Sequence, residues 1–313
     1  MLDYKKAIKS RAVRGKILEA LSFVPDKPMI KLQYWIKTGR RLNLSSPQRF
    51  TEKLQWMKLY YRDPLMVQCV DKYDVRDYIR GLGLEDTLVK CYGVFDNASD
   101  VNFDVLPERF VIKDTLGGGG NSVIICTNKS QLDLFQVRQQ IEQWTNVDGY
   151  RRGGGREWPY YSGKKHRIII EEYIESDATQ GGLIDYKFMC FQGKPEIIYV
   201  LTDRKVGFGA GCGIFNLSFE KIPCLELDET PLNREIQIPE NLTEMITYAS
   251  KVSKPFPEAR IDIYSVGGKI YFGEITFFDS SGYQIFDPDE FDFELGSKFI
   301  LPKKQEDNRN LLL

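Results

Sequence analysis

The sequence predicts an α+β fold with a helical N-terminal region ahead of two strand-rich units. Three observations predict it. Helical patterns dominate the early part of the chain and strand candidates cluster later, which separates rather than alternates the two element types. A run of four glycines, Gly117–Gly120, lies between two short apolar segments in FVIKDTLGGGGNSV. About 150 residues further on, ARIDIYSVGGKIYFGEITF reads as a hairpin carrying one arginine and two acids.

The elements follow in order. Residues 1–45 read as basic helix broken at Pro25 and Pro28. PQRFTEKLQWMKLYY, Pro47–Tyr61, places Phe50, Leu54, Met57 and Tyr61 on one helical face. Ser45 or Ser46 suits its N-cap, with Pro47 in the first turn. A further helix is expected over Asp71–Arg80, ending at Gly81 or Gly83, with Lys72 in its first turn. Val89–Phe95, Phe110–Lys113 and Ser122–Cys126 read as strands, and Ser130–Trp144 as helix. Four more strands are expected at His166–Ile174, Ile184–Gln192, Glu196–Arg204 and Gly213–Phe219. Pro239–Val252 reads as helix with an acidic start. The hairpin spans 259–277, and the tail after Pro288 reads as irregular. The expected division is 1–45 basic helical, 46–105 helical, 106–175 a small α+β unit and 176–313 a larger one.

At 313 residues the chain can bury the core of one or two domains. A net charge of -1 argues against a nucleic-acid partner. Residues 1–42 are an exception, with eleven basic and three acidic residues. That excess suits an anionic lipid surface or a charged glycan, or simply a solvated helix. The six cysteines form no C-x-x-C pair, which fits a reducing cytoplasm. No secretory leader pattern and no run of about 18 apolar residues is evident. His166 is the only histidine and no nucleophile motif accompanies it, so it reads as an ordinary strand-edge residue.

Consecutive glycines let backbone approach an anion and offer several N–H donors. Gly117, Gly118, Gly119, Gly120 and Asn121 have this property without the order of a P-loop. A flap over phosphates is one reading, a plain hairpin turn the other. Lys113 ends an apolar strand, an odd place for a lysine unless it meets an anion. Lys72 is a second phosphate lysine by the same chemistry. The strand RIIIEEYIE turns abruptly acidic, and Glu171, Glu172, Tyr173 and Ile174 form a candidate hinge for a nucleotide base. Asp185 suits the ribose hydroxyls. Magnesium takes hard oxygen ligands, often one or two carboxylates plus phosphate oxygens. Asp262 and Glu274 supply two if both point to one face. A two-residue turn would oppose them. A three-residue loop, Gly267–Lys269, would align them and is therefore expected. Arg260 shares the face of Asp262 by alternation and suits a transferring phosphoryl group.

These pieces resemble the ATP-grasp superfamily. More narrowly, they resemble its TupA-like group, found in surface-polysaccharide gene clusters. The matching segments are PQRFTEKLQWMKLYY, DKYDVRDYI, FVIKDTLGGGGNSV, EEYIES, DYKFMCF, RIDIY and FGEITFFDSSG, spread over residues 45–300. The resemblance implies two α+β subdomains clasping ATP with Mg2+. It implies Lys72 and Lys113 on the nucleotide, Gly117–Asn121 as flap and Glu171–Ile174 at the adenine. It implies Asp185 at the ribose, and Lys187 and Arg204 toward phosphates or acceptor. It makes Asp262 and Glu274 the metal acids and Arg260 the stabilising cation. Where most ATP-grasp ligases carry an asparagine, this chain has Thr276, which leaves one metal or two open. The domain that normally precedes the grasp is reduced to the helical region before residue 85.

The implied reaction activates a carboxylate as an acyl phosphate and lets an amine attack it, giving an amide. In a polysaccharide context the pair would be an amino acid and a uronic acid or amino sugar. The substrate would be a small molecule or glycan. YRRGGGREWPYY offers Arg151, Arg152 and Arg156 for an acidic acceptor, and Trp158, Tyr160 and Tyr161 for a sugar face. A glycosyltransferase or kinase-like enzyme of the same pathway, and a nucleotide-binding module, remain as alternatives.

Overall fold

The computed structural model describes residues 11–118, 122–146, 155–161, 164–175, 182–202 and 211–305. Within them lie eight α-helices and three sheets.

The N-terminal helices are α1 (Arg11–Ala20), α2 (Asp26–Thr38), α3 (Phe50–Tyr60), α4 (Pro64–Cys69) and α5 (Val75–Gly81). Pro28 does not break α2. It lies in the first turn, where its missing N–H is no loss. Helix α3 starts three residues later than expected. Neither Ser45 nor Ser46 caps it. Glu52 accepts from the N–H groups of Gln48 (2.9 Å) and Arg49 (3.2 Å), and Asp292 accepts from that of Thr51 (3.0 Å). Asp292 belongs to α8 (Glu290–Lys298), a helix within the tail read as irregular. Helix α8 buries Phe291 and Leu295. Its Gly296 lies where a Cβ would be 2.0 Å from the Gln48 carbonyl oxygen, so α8 approaches the start of α3 as only glycine allows.

Helix α5 begins at Val75 rather than Asp71, because Asp71–Asp74 forms a turn instead. The Asp71 carboxylate accepts from the N–H groups of Tyr73 (2.8 Å) and Asp74 (3.0 Å). Lys72 therefore projects from a turn, and its N–H donates to the carbonyl of Thr115.

Strands β1 (Cys91–Phe95), β2 (Phe110–Asp114), β3 (Val123–Cys126) and β4 (Ile168–Glu172) form an antiparallel sheet in the order β1-β4-β2-β3. Phe110, Ile112, Ile168 and Ile170 pack with Val137 and Ile141 of α6 (Leu134–Thr145) into a core of their own. The alternate residues, Val111, Lys113, Ile169 and Glu171, face the other way.

The larger sheet runs β11-β10-β5-β6-β7-β9. Its members are β5 (Asp185–Phe191), β6 (Lys194–Thr202), β7 (Gly211–Phe215), β9 (Thr230–Pro231), β10 (Glu258–Val266) and β11 (Lys269–Thr276). Strand β5 is buried along its whole length. Helix α7 (Leu242–Ser253) buries Met245, Ala249 and Val252 in the same core as Phe188, Ile198, Ala259 and Ile261. The opposite face carries the polar residues. A third sheet pairs β8 (Leu225–Glu226) with β12 (Phe286–Asp287).

Candidate active site

The hairpin β10–β11 turns in two residues, not three: Val266 pairs with Lys269 across Gly267 and Gly268. Both glycines have positive φ, 57° and 75°, the requirement of a tight hairpin turn. Asp262 and Glu274 are nevertheless directly paired. The register shifts between Asp262 and Ile263, which pairs with Phe272, so Gly273 is an extra residue in β11. One bulge restores the parity that the even turn reverses. The expected alignment is present, and the expected device is wrong.

Both acids are clasped by cations. Arg260 donates through Nε to Asp262 Oδ1 at 2.7 Å and through Nη2 to Oδ2 at 2.8 Å. The Lys187 ammonium also holds Asp262, and it lies 2.9 Å from Asp185 Oδ2. Lys72 Nζ lies 3.2 Å from Glu274 Oε2 and donates to the Gly117 carbonyl. Thr276 Oγ1 accepts from Arg260 Nη2 at 3.0 Å and is 3.3 Å from Glu274 Oε1. Burial raises the Asp262 carboxyl above its ordinary range against the pull of Arg260 and Lys187. Burial acts likewise on Glu274, but Lys72, Lys187 and Arg260 outweigh it and hold that carboxyl far below the usual range.

On the smaller sheet Lys113 does meet an anion, the Glu171 carboxylate, at 2.7 Å. Glu171 also pairs with Arg76 at 3.1 Å. Its side chain is thus committed to two cations. Strand β4 lies between β1 and β2, so its backbone is not an exposed hinge up to Glu172. Tyr173 and Ile174 lie just past that strand. His166 is paired with Asp114, its Nδ1 2.8 Å from Oδ2. Gly117 and Gly118 end the described part of the flap. Gly119, Gly120, Asn121, Arg151, Arg152 and Arg204 lie outside the described residues.

Two acceptor-loop expectations fail. Arg156 is buried and turned inward, with Nη1 3.0 Å from Asp26 and donating to the carbonyl of Val24, and Nη2 donating to that of Leu21. Trp158 is buried in the main core beneath the Arg62 guanidinium, 4.9 Å from its ring centroid. Both side chains are committed inside the protein, Arg156 to the N-terminal segment and Trp158 to the main core.

A family model described as TupA-like ATPgrasp matches residues 52–300. The chain belongs to the TupA-like ATP-grasp family. Its α+β architecture is accordingly an ATP-grasp fold. Among solved structures, it is similar to the D-alanine–D-alanine ligase of Bacillus anthracis, at 20% identity and a TM-score of 0.42, covering 67% of this chain and 57% of that one. The corresponding ligase of Helicobacter pylori matches at 13% identity and 0.43, covering 81% and 69%. A biotin carboxylase–β,γ-ATP complex from Campylobacter jejuni matches at 12% and 0.39, covering 80% and 49%. No curated protein matches.

In this ATP-grasp chain the sequence reading missed Arg76, which shares Glu171 with Lys113, and Tyr199, which lies directly across from Lys187 on β6. It also missed Asp279, which takes the Arg260 Nη1 bond. Tyr199 was visible as the one polar residue within IIYVL. Asp279 was visible in FFDSSG, but its partner was not.

Proposed function

We propose that the protein is an ATP-dependent carboxylate–amine ligase that forms an amide through an acyl phosphate. In this reading it joins an amino acid to a uronic acid or amino sugar during capsule or exopolysaccharide synthesis. One observation carries it: Lys72 touches the glycine loop of one sheet and the Glu274 carboxylate of the other. A lysine shared by two such elements sits where a nucleotide's phosphates would lie between a flap and its metal acids.

The donor set fits magnesium. Asp262 and Glu274 present hard oxygens from neighbouring strands, with Thr276 Oγ1 beside them. Among the described residues no group of three or more His, Cys, Asp or Glu gathers to hold a metal ion, so phosphate oxygens would complete its shell. Asp262, Glu274 and Thr276 would hold the ion, which supplies positive charge against the phosphate oxygens. Lys72 and Lys113 would bind phosphates, and Glu171 would keep Arg76 as its partner when Lys113 turns away. Lys187 orients Asp185 and Asp262. Arg260 stabilises charge developing on the transferring group. No side-chain nucleophile is needed.

The same reading places the protein in the cytoplasm, against the membrane. No described helix is long and apolar enough to cross one. Phe23 is 80% exposed and Trp35 49%, beside exposed Lys27, Lys31 and Leu32. This combination supports contact with an anionic lipid surface.

The test is ADP release from Mg-ATP across amino acids, each combined with a uronic-acid sugar nucleotide. A signal that needs both partners and disappears in Lys113→Ala is expected. Tight ATP binding with no ADP from any pair overturns the reading.

A further inference from the structure

Arg260 has two sides. Its Nε and Nη2 hold Asp262, while its Nη1 holds Asp279. The other oxygen of Asp279 accepts from Gln284 Nε2 at 3.0 Å. Glu226 of β8 lies beside this group, its Oε1 accepting from Ser280 Oγ at 3.2 Å. Both carboxylates are buried, Glu226 at 7% and Asp279 at 8% exposure. Burial and then the Asp279 charge push the Glu226 carboxyl well above its usual range.

Two more buried polar atoms in this region have no partner among the described residues. Gln284, 3% exposed, has its amide against Asp279, and its Oε1 accepts nothing. Reversing that amide would press its oxygen onto the carboxylate, so the orphan is an acceptor. Tyr199, 4% exposed, shares the polar sheet face with Lys187, and its hydroxyl is also unpartnered. Glu226 and Asp279 are the foremost charges acting on it. Glu226 also lines a small cavity with Glu229, Cys212 and Ile214. Around the same segment Phe278, Ser280 and Ser281 all hold left-handed φ, at 61°, 47° and 55°. Such backbone persists where its surroundings enforce it.

Orphan acceptors beside two buried carboxylates lack what an ammonium provides, one positive charge and three donors. We propose that Glu226, Asp279, Gln284 and Tyr199 form the subsite for the ammonium group of the amine substrate. This rests on the ligase reading above, and it puts the amine across Arg260 from Asp262. Binding of the ammonium displaces the proton that burial holds on Glu226, and in the step itself that carboxylate takes one proton from the nitrogen. The nitrogen lone pair forms the bond to the acyl carbon, and the acyl–oxygen bond breaks with its electron pair leaving on phosphate. The second proton lost by nitrogen leaves with the phosphate.

The experiment is calorimetric titration of the full chain, without ATP, using glucosamine, L-alanine and L-glutamate as probes. N-acetylglucosamine and lactate serve as controls that lack the ammonium. At least one amine should bind and the controls should not. Binding should weaken at least tenfold in Glu226→Gln and in Tyr199→Phe, with Mg-ATP affinity within twofold of the parent. Glu226→Gln should melt no lower than the parent, since it removes buried repulsion, so weakened binding is not unfolding. The subsite is overturned if no amine binds, if N-acetylglucosamine binds as well as glucosamine, or if Glu226→Gln binds amines as the parent does. Intact amine binding with no pair-dependent ADP release would instead overturn the ligase reading alone.

Discussion

The hairpins β2–β3 and β10–β11 both depend on glycine, in opposite ways. In the first, glycine lies in the connection. A Cβ at Gly118 would meet nothing within 4 Å, and the Gly117 carbonyl is left for Lys72. In the second, the decisive glycine lies inside a strand. A Cβ at Gly273 would stand 2.9 Å from the Asp262 carbonyl oxygen, so the bulge that aligns the two acids closes only around glycine. Gly118 in the conspicuous run has open space around it, while an inconspicuous single glycine sets which face the chemistry occupies.

The strongest way to break the second hairpin is Asp262→Asn. Arg260 and Lys187 would lose the carboxylate they share and keep Asp279 and Asp185, so the cost is at most about 3–5 kcal/mol. Urea denaturation should show that loss, and ADP release should fall about a hundredfold or more. Glu258 gives the next effect. It begins β10 on the Arg260 face, and burial followed by Asp279 pushes its carboxyl up to about 8. The folded chain therefore keeps a proton that the unfolded chain sheds above about pH 4.3. This group's contribution to stability falls as pH rises from there to about 8, by at most about 1.4 kcal/mol per unit. Melting temperature should fall less over that window in Glu258→Gln than in the parent.

Gly273→Ala should cost about 1–3 kcal/mol by crowding the bulge and should lower ADP release with it. Lys72→Ala sharpens the contrast by removing a side chain that touches both hairpins. It should cost about 1–3 kcal/mol by leaving the Glu274 carboxylate short of a donor and cut ADP release about tenfold or more. Gly118→Ala should be the mildest, within about 0.5 kcal/mol by denaturation. A cost as large as that of Gly273→Ala would end the distinction between the two glycines.

Much of the fold was legible. The strands around the glycine loop, the strands of the larger sheet and the hairpin at 259–277 follow from alternation and turn residues. Helix α8 was missed although Phe291 and Leu295 repeat at helical spacing, because Gly296 and Ser297 argue locally against a helix. The start of α3 was misplaced because its cap includes Asp292, which is remote in sequence. At the site, Lys113 beside an anion and Arg260 beside Asp262 were legible from residue type and period. That Lys113 meets Glu171, and that Arg156 is consumed by Asp26, was not.

Local pattern settles which segments are strands or helices, which residues share a face along one strand, and which chemistry those residues offer. These depend on backbone geometry over a few residues, which the chain carries wherever it is read. Packing alone decides which charge meets which, and whether a face count survives a bulge. Lys72 joins Gly117 to Glu274, and Arg260 joins Asp262 to Asp279, only when segments far apart in sequence are desolvated together. Register and burial then choose each charge's partner, and neither can be counted along a single strand.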